Sequence, residues 1–322
     1  MPLRADGNIS GWLMIDLWTG QQFHFPIFNQ GANRRRIARE MARGYADGDE
    51  CLIKGRKAMP YFTTTDGYKL HYEEAGSGKP LVLIHGWSQC AEMFKKNIPA
   101  LSKDFRVLAL DLRGHGDSEK PAHGYRISRL AKDVYDFLAT LELQKVNLLG
   151  WSMGCSIIWS YWSIFGPERL EKLILVDEPA WLLNVPGYDQ GILKAEELAS
   201  FCDKIRNDRE AMTKWFVDQM VSTDMAQEEK DWIATVNQKM PAPYAGDLLF
   251  IHCSIDWRDT IPLINLPTLV IGGKKSLVPW QSQVWIHEHI PGSKLEIFEE
   301  RGHIMFYEEP DKFNQILADF IG

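Results

Sequence analysis

The sequence predicts an α/β protein, a mostly parallel, doubly wound sheet with a helical cap inserted between two of its strands. Three observations carry this. Short apolar runs recur at 81–84, 107–110, 146–149, 173–176, 268–271 and 295–298. Runs of that length, ending at polar or glycine residues, read as strands buried on both faces. Helical patterns lie between them, over 127–141, 153–165 and 311–320, and strands alternating with helices imply parallel pairing. The stretch 179–265 breaks the alternation. It is rich in Trp, Met and Phe, including Trp181, Trp215, Phe216, Met220, Trp232, Met240, Phe250 and Trp257, with helical spacing over 194–205 and 210–220. It reads as the cap.

The elements before the first run are set by turn chemistry. Asp66-Gly67 lies between two short β-like segments, which is a strong hairpin signal. The folded unit is therefore placed from Met59, with 59–178 and 266–322 as its body. Residues 1–58 differ in charge. They hold nine basic residues against six acidic ones, including Arg34, Arg35, Arg36, Arg39 and Arg43, in a chain whose net charge is -7. They are expected to form a poorly ordered extension with no catalytic part.

Composition excludes several classes. A hydrophobic share of 45% with 25% charged residues excludes wholesale disorder. The acidic balance argues against nucleic acid as a partner. No apolar run reaches the ~20 residues needed to span a bilayer, and the start Met1-Pro2-Leu3-Arg4 lacks the order of a secretory signal. Five scattered cysteines, Cys51, Cys90, Cys155, Cys202 and Cys253, lack metal-ligand spacing and read as reduced thiols packed as small hydrophobes. The expectation is a cytoplasmic protein with no metal, no cofactor, no membrane contact and a small-molecule partner.

Ligands of doubly wound sheets bind beyond the carboxyl ends of the strands, so the chemistry should follow the apolar runs. Gly150-Trp151-Ser152-Met153-Gly154 does so, between a strand and a helix pattern, the setting of a nucleophile elbow. Ser152 then needs a base. His71 belongs to the hairpin, and His287 and His289 stand two apart on a helix, where they cannot share a face. His303, in Arg301-Gly302-His303 after the last strand, is placed to reach Ser152.

His85-Gly86-Trp87 after one strand, the run from Asp111 to Ser118 after the next, the Ser152 elbow and the late Gly302-His303 together resemble the α/β-hydrolase superfamily over residues 60–322. The resemblance implies an oxyanion hole from the N–H groups of Trp87 and Met153. It also implies a structural turn at Asp111 and Arg113 to Gly116, with no catalytic role for His115. The acid of the triad departs from the commonest pattern, because Lys275 stands at its usual place before Pro279, and a lysine there would disfavour an imidazolium. Haloalkane dehalogenases and zearalenone lactone hydrolases place the acid one strand earlier, ten residues past a proline. Ten past Pro167 is Asp177, with Glu178 as the alternative.

The resemblance implies a serine hydrolase of esters or lactones, since dehalogenase and epoxide hydrolase chemistry needs a carboxylate where Ser152 stands. The run from Met59 is also similar to the serine-dependent macrolide esterases, which implies the lactone of a large, sixteen-membered macrolide antibiotic as substrate. A cofactor-free haloperoxidase or perhydrolase, a general carboxylesterase, a cofactor-independent oxygenase and, given Lys275, a non-catalytic receptor on the same scaffold are the alternatives. A wide apolar ligand needs large apolar walls, and Trp87, Trp151 and Trp181, just after strand ends, are the expected substrate-binding residues.

Overall fold

A computed structural model describes residues 11–15, 22–26, 60–222 and 224–322, in two units, 1–57 and 58–322. In the first, Gly11–Ile15 and Gln22–Pro26 pair antiparallel with Trp12 opposite Phe25, a pairing the sequence reading did not foresee. The arginine cluster from Arg34 to Arg43 lies outside the described residues.

The second unit is built on eight strands: β1 (Tyr61–Thr63), β2 (Lys69–Ala75), β3 (Lys79–Ile84), β4 (Phe105–Leu110), β5 (Val146–Trp151), β6 (Leu170–Val176), β7 (Thr268–Gly273) and β8 (Lys294–Phe298). Their order in the sheet is β8-β7-β6-β5-β3-β4-β2-β1. β1 pairs β2 and β2 pairs β4 antiparallel, and every other pair is parallel. The Asp66-Gly67 turn does join β1 to β2, and all six apolar runs are strands.

Period-two alternation divides these runs between two cores. Val82, Ile84, Leu148 and Leu175 face one side, under the helices α1 (Ile127–Thr140) and α2 (Met153–Phe165). Leu81, Leu83, Leu149, Trp151, Ile174 and Val176 face the other. There Phe313, Leu317 and Ile321 of the C-terminal helix Pro310–Ile321 cover them. Between β6 and β7 the chain forms α3 (Leu198–Asn207), α4 (Arg209–Met220), α5 (Gln227–Gln238) and α6 (Ala242–Cys253). The first two match the expected helices and the last two were not anticipated. After β7 comes α7 (Trp280–His289), and the C-terminal helix is α8.

Register aligns the carboxyl ends that matter. Ile84 stands opposite Gly150 and Trp151 opposite Val176, so the residues following β3, β5 and β6 emerge side by side at one edge of the sheet. Among the described residues, no helix is long and apolar enough to cross a membrane.

Candidate active site

The elbow between β5 and α2 is so tight that only glycine fits on either side of Ser152. A Cβ on Gly150 would lie 2.4 Å from the backbone of Gly154, and one on Gly154 would lie 2.5 Å from the Ile84 carbonyl oxygen. Ser152 itself has φ 52°, a left-handed conformation that costs a non-glycine residue energy and persists where the surroundings over-determine it. Its N–H donates to the Val176 carbonyl at 2.8 Å, which ties the elbow to β6. The hydroxyl opens into a cavity of about 440 Å³ whose lining includes Trp87, Glu178, His252 and His303.

His303 is oriented from three directions. Its backbone N–H donates to the Met220 carbonyl at 3.0 Å, and its own carbonyl accepts the Trp151 indole N–H at 3.0 Å. The ring Nδ1 meets Asp177 Oδ2 at 2.7 Å. Asp177, fully buried at the end of β6, also has a positive φ of 55°. It accepts from the Gly273 N–H at 3.2 Å and from the Ser276 hydroxyl. Burial pushes the Asp177 carboxyl above the ordinary carboxylate range, and its three donors oppose that rise. Lys275, at the family's usual acid position, is exposed, with Nζ 4.0 Å from Glu300. Across the β6–β7 pairing, Asp177 sets a carboxylate against His303 where Lys275 offers none.

The Ser152 hydroxyl makes its hydrogen bond to Glu178 Oε2, at 3.5 Å, and none to His303 among the described residues. Catalytic hydrogen bonds are often long or misaligned in the absence of substrate. Glu178 does not reach His303. Its Oε1 lies 3.0 Å from His252 Nε2 and accepts from Ser156 at 3.4 Å. The two neighbouring carboxylates thus serve different histidines, and His303 belongs to Asp177.

The other motifs shape the rim. Neither the Trp87 N–H nor the Met153 N–H has an acceptor among the described residues, as donors reserved for a developing oxyanion would be. The loop of Trp87 is held by His85, whose Nε2 accepts the Leu112 N–H at 3.0 Å while Nδ1–H donates to the Gly86 carbonyl at 2.8 Å. That pattern requires a neutral ring, and burial lowers the His85 pKa accordingly. The run from Asp111 is structural. Asp111 accepts from the N–H groups of Ala91 and Asp117 and pairs with His71 at 2.8 Å. Arg113 grips Asp133 through two nitrogens and Asp66 through one, and His115 is fully buried on His85. His71, Asp111 and Asp117 are close enough to offer three ligand atoms to a metal. Both Asp111 carboxylate oxygens, however, already hold protein donors.

Of the three expected wall tryptophans, one is in place. Trp87 lines the cavity, its indole N–H donating to Ala245 at 2.9 Å and its ring set edge-on to Phe216 of α4. Trp151 is a correction. It is still part of β5, so alternation turns it into the core face shared with Leu149 and Phe306, and it holds His303 from behind. Trp181 is a second correction. Its indole N–H is satisfied by the Cys253 carbonyl at 3.1 Å, its ring lies beside Tyr188, and it does not line the cavity. The walls come instead from Leu182, Phe201, Met212, Phe216 and Leu249. His252, on the buried face of α6, was not anticipated. A single histidine among apolar residues carries no sequence signal that separates it from core. Cys90, Cys155, Cys202 and Cys253 are free and buried, and burial raises each thiol; Cys51 lies outside the described residues.

The geometry agrees with what the chain is similar to. The profile of the alpha/beta hydrolase fold family matches residues 79–310. The AB hydrolase superfamily protein YisY of Bacillus subtilis is 31% identical over 269 residues, 81% of this chain and 98% of that protein. A putative non-heme chloroperoxidase of Synechocystis is 31% identical over 284 residues, 82% of this chain and all of that protein. The solved structure of an esterase from Exiguobacterium antarcticum superposes with a TM-score of 0.78 at 31% identity, covering 82% of this chain and 99% of that one. The chain belongs to the alpha/beta hydrolase fold family.

Proposed function

We propose that this hydrolase cleaves carboxylic esters and lactones through an acyl-enzyme on Ser152. The observation that carries the reading is the 2.7 Å bond between His303 Nδ1 and Asp177, with His303 and the strained Ser152 opening on one cavity. Asp177 fixes the imidazole with its proton on Nδ1, which leaves Nε2 free to take the Ser152 proton as the hydroxyl attacks. The N–H groups of Trp87 and Met153 stabilise the oxyanion, and removing one such donor typically costs about 3 kcal/mol. The imidazolium then protonates the leaving alkoxide, and water releases the acyl group by the same route. Residues 179–265 act as the cap over this site, and 1–58 stand outside the catalytic unit.

The kinship to an esterase supports ester hydrolysis. The kinship to a chloroperoxidase supports a second reading, perhydrolysis by the same triad with peroxide in place of water. The finer substrate, a large macrolide lactone, is supported by resemblance and by the apolar walls. The test is mass spectrometry of ester and macrolide lactone panels with the wild type and Ser152→Ala, with and without peroxide. A gain of one water, absent in the variant, is expected on simple esters. Equal turnover by the variant would refute Ser152 as nucleophile, and peracid formation outrunning ester hydrolysis would favour the second reading.

A further inference from the structure

Glu178 and His252 form a second buried carboxylate–histidine pair, at 3.0 Å, in the wall of the same cavity. The two side chains are 1% and 2% exposed. The triad does not use them. Glu178 Oε1 is occupied by His252 and Ser156, whereas Oε2 has one long contact, to the Ser152 hydroxyl at 3.5 Å. A carboxylate oxygen has room for two donors. When Ser152 turns to His303 for attack, Oε2 loses its one protein partner, and a buried acceptor left unpaired is costly. A substrate that brings a donor to Oε2 removes that cost at the moment the nucleophile is released.

We propose that Glu178, positioned by His252, selects esters and lactones whose acyl part carries a hydrogen-bond donor, a hydroxyl or an ammonium group, on the α or β carbon. The position follows from the distances. The carbonyl carbon must come within a bond of Ser152 Oγ, itself 3.5 Å from Oε2, so a donor on the first or second carbon of the acyl part comes within reach of Oε2. The alcohol leaves toward His303, which protonates it, so the hydroxyl's contact away from His303 marks the acyl side. His252 sets Nε2 3.0 Å from Oε1 and its Nδ1 has no partner among the described residues, so it lies where an imidazole can hold the carboxylate in place. The proposal rests on the ester-hydrolase reading above and assigns that site its acyl specificity.

The experiment compares kcat/KM of the full-length enzyme on methyl hexanoate, methyl 3-hydroxyhexanoate and methyl 3-aminohexanoate, each corrected for its alkaline hydrolysis rate. The wild type should prefer a donor-bearing ester by about 10- to 100-fold, the effect of one hydrogen bond to a charged group. The two donor esters show whether hydroxyl or ammonium is taken. Glu178→Gln keeps the shape; with its amide oxygen on the Ser156 hydroxyl beside His252, the amide NH2 faces the substrate donor and the preference should fall to near unity. Turnover of methyl hexanoate with no preference in the wild type, or a preference that survives in Glu178→Gln, overturns the proposal and leaves the hydrolase reading standing. Failure to turn over any ester overturns the reading instead. Binding of hexanamide against 3-hydroxyhexanamide, followed by fluorescence of Trp87 and Trp215 in the cavity wall, then decides the subsite alone: tighter binding of the hydroxyamide supports it, and equal binding refutes it.

Discussion

Replacing Asp177 by asparagine tests the least expected part of the triad, because the side chain keeps its shape and loses only acceptor capacity. In the wild type all three partners of the carboxylate are donors: the Gly273 N–H to Oδ1, and the Ser276 hydroxyl and His303 Nδ1–H to Oδ2. Asparagine has one acceptor oxygen. If that oxygen stays on the fixed Gly273 N–H, the amide NH2 faces His303 at the position of Oδ2. The imidazole must then present Nδ1 as an acceptor and carry its proton on Nε2, aimed at Ser152, where a base is needed. A triad histidine in the wrong tautomer loses about 10⁴-fold in kcat, which is about 5.4 kcal/mol at 1.36 kcal/mol per tenfold. The assay is steady-state hydrolysis of a p-nitrophenyl ester by wild type, Asp177→Asn and Glu178→Gln, with circular dichroism to confirm that each is folded. The expected result is a collapse of kcat in Asp177→Asn with KM little changed. Activity of Asp177→Asn within about tenfold of wild type would refute the assignment, and a collapse confined to Glu178→Gln would move the acid one residue along.

Lys275→Ala should leave kcat within about twofold, since the side chain faces solvent and surface changes are worth about 0.5 kcal/mol or less; a large loss on the same p-nitrophenyl ester would place it in the machinery. Trp151→Phe strips the His303 carbonyl of its indole donor, a buried loss of about 1–3 kcal/mol, and should lower kcat about tenfold through misplacement of the ring, as steady-state kinetics would show. The Asp111 carboxylate holds His71 above its ordinary 6.5 against the burial penalty, and Asp111 lies below its own 3.8. The His71 contribution is complete below pH 6.5 and fades as pH rises through the raised value; that of Asp111 is present above pH 3.8 and is lost on acidification. The gap in urea midpoint between wild type and His71→Gln should therefore be widest between those values and shrink as pH rises through the raised His71 value, and a constant gap would refute the coupling. Removal of residues 1–58 should leave ester turnover and the melting transition nearly unchanged, and loss of either would move the edge of the catalytic unit.

Much of the fold and part of the site could be read from the chain because they follow local rules. The strands were legible because a strand buried on both faces is apolar throughout, and each run found at 81–84 or 268–271 lies inside the strand observed. The elbow was legible because its steric demand is local: glycine is forced at 150 and 154 by contacts within one turn and with β3. Helix α6 escaped because Met240-Pro241-Ala242-Pro243 reads as a loop, whereas proline in a first turn is also how a helix begins. Trp151 was misjudged by one residue of strand, enough to exchange cavity for core. His252 could not be found, since only the folded chain brings it to Glu178, 74 residues away in sequence.

The two acids at the end of β6 show how adjacent residues divide the work. Along an extended chain successive side chains point to opposite sides, and the left-handed Asp177 turns the backbone at that point. Asp177 is sent toward β7, where Gly273 and Ser276 receive it, and Glu178 toward α2 and α6, where Ser156 and His252 do. With Asp177 as the proposed triad acid, this strand end therefore does more than compensate for Lys275. It places the next residue against the nucleophile, with an oxygen that the protein leaves almost free. A scaffold with its acid after β7 has no such geometric link between orienting the base and lining the acyl pocket. Here the two are consecutive on one strand end, so a substitution that shifts Asp177 should disturb acyl preference as well as turnover. Asp177→Glu tests this link: the longer side chain must push back along β6, and the hydroxy-ester preference and kcat should fall together. A variant that loses kcat with its acyl preference intact would show that the two residues act independently.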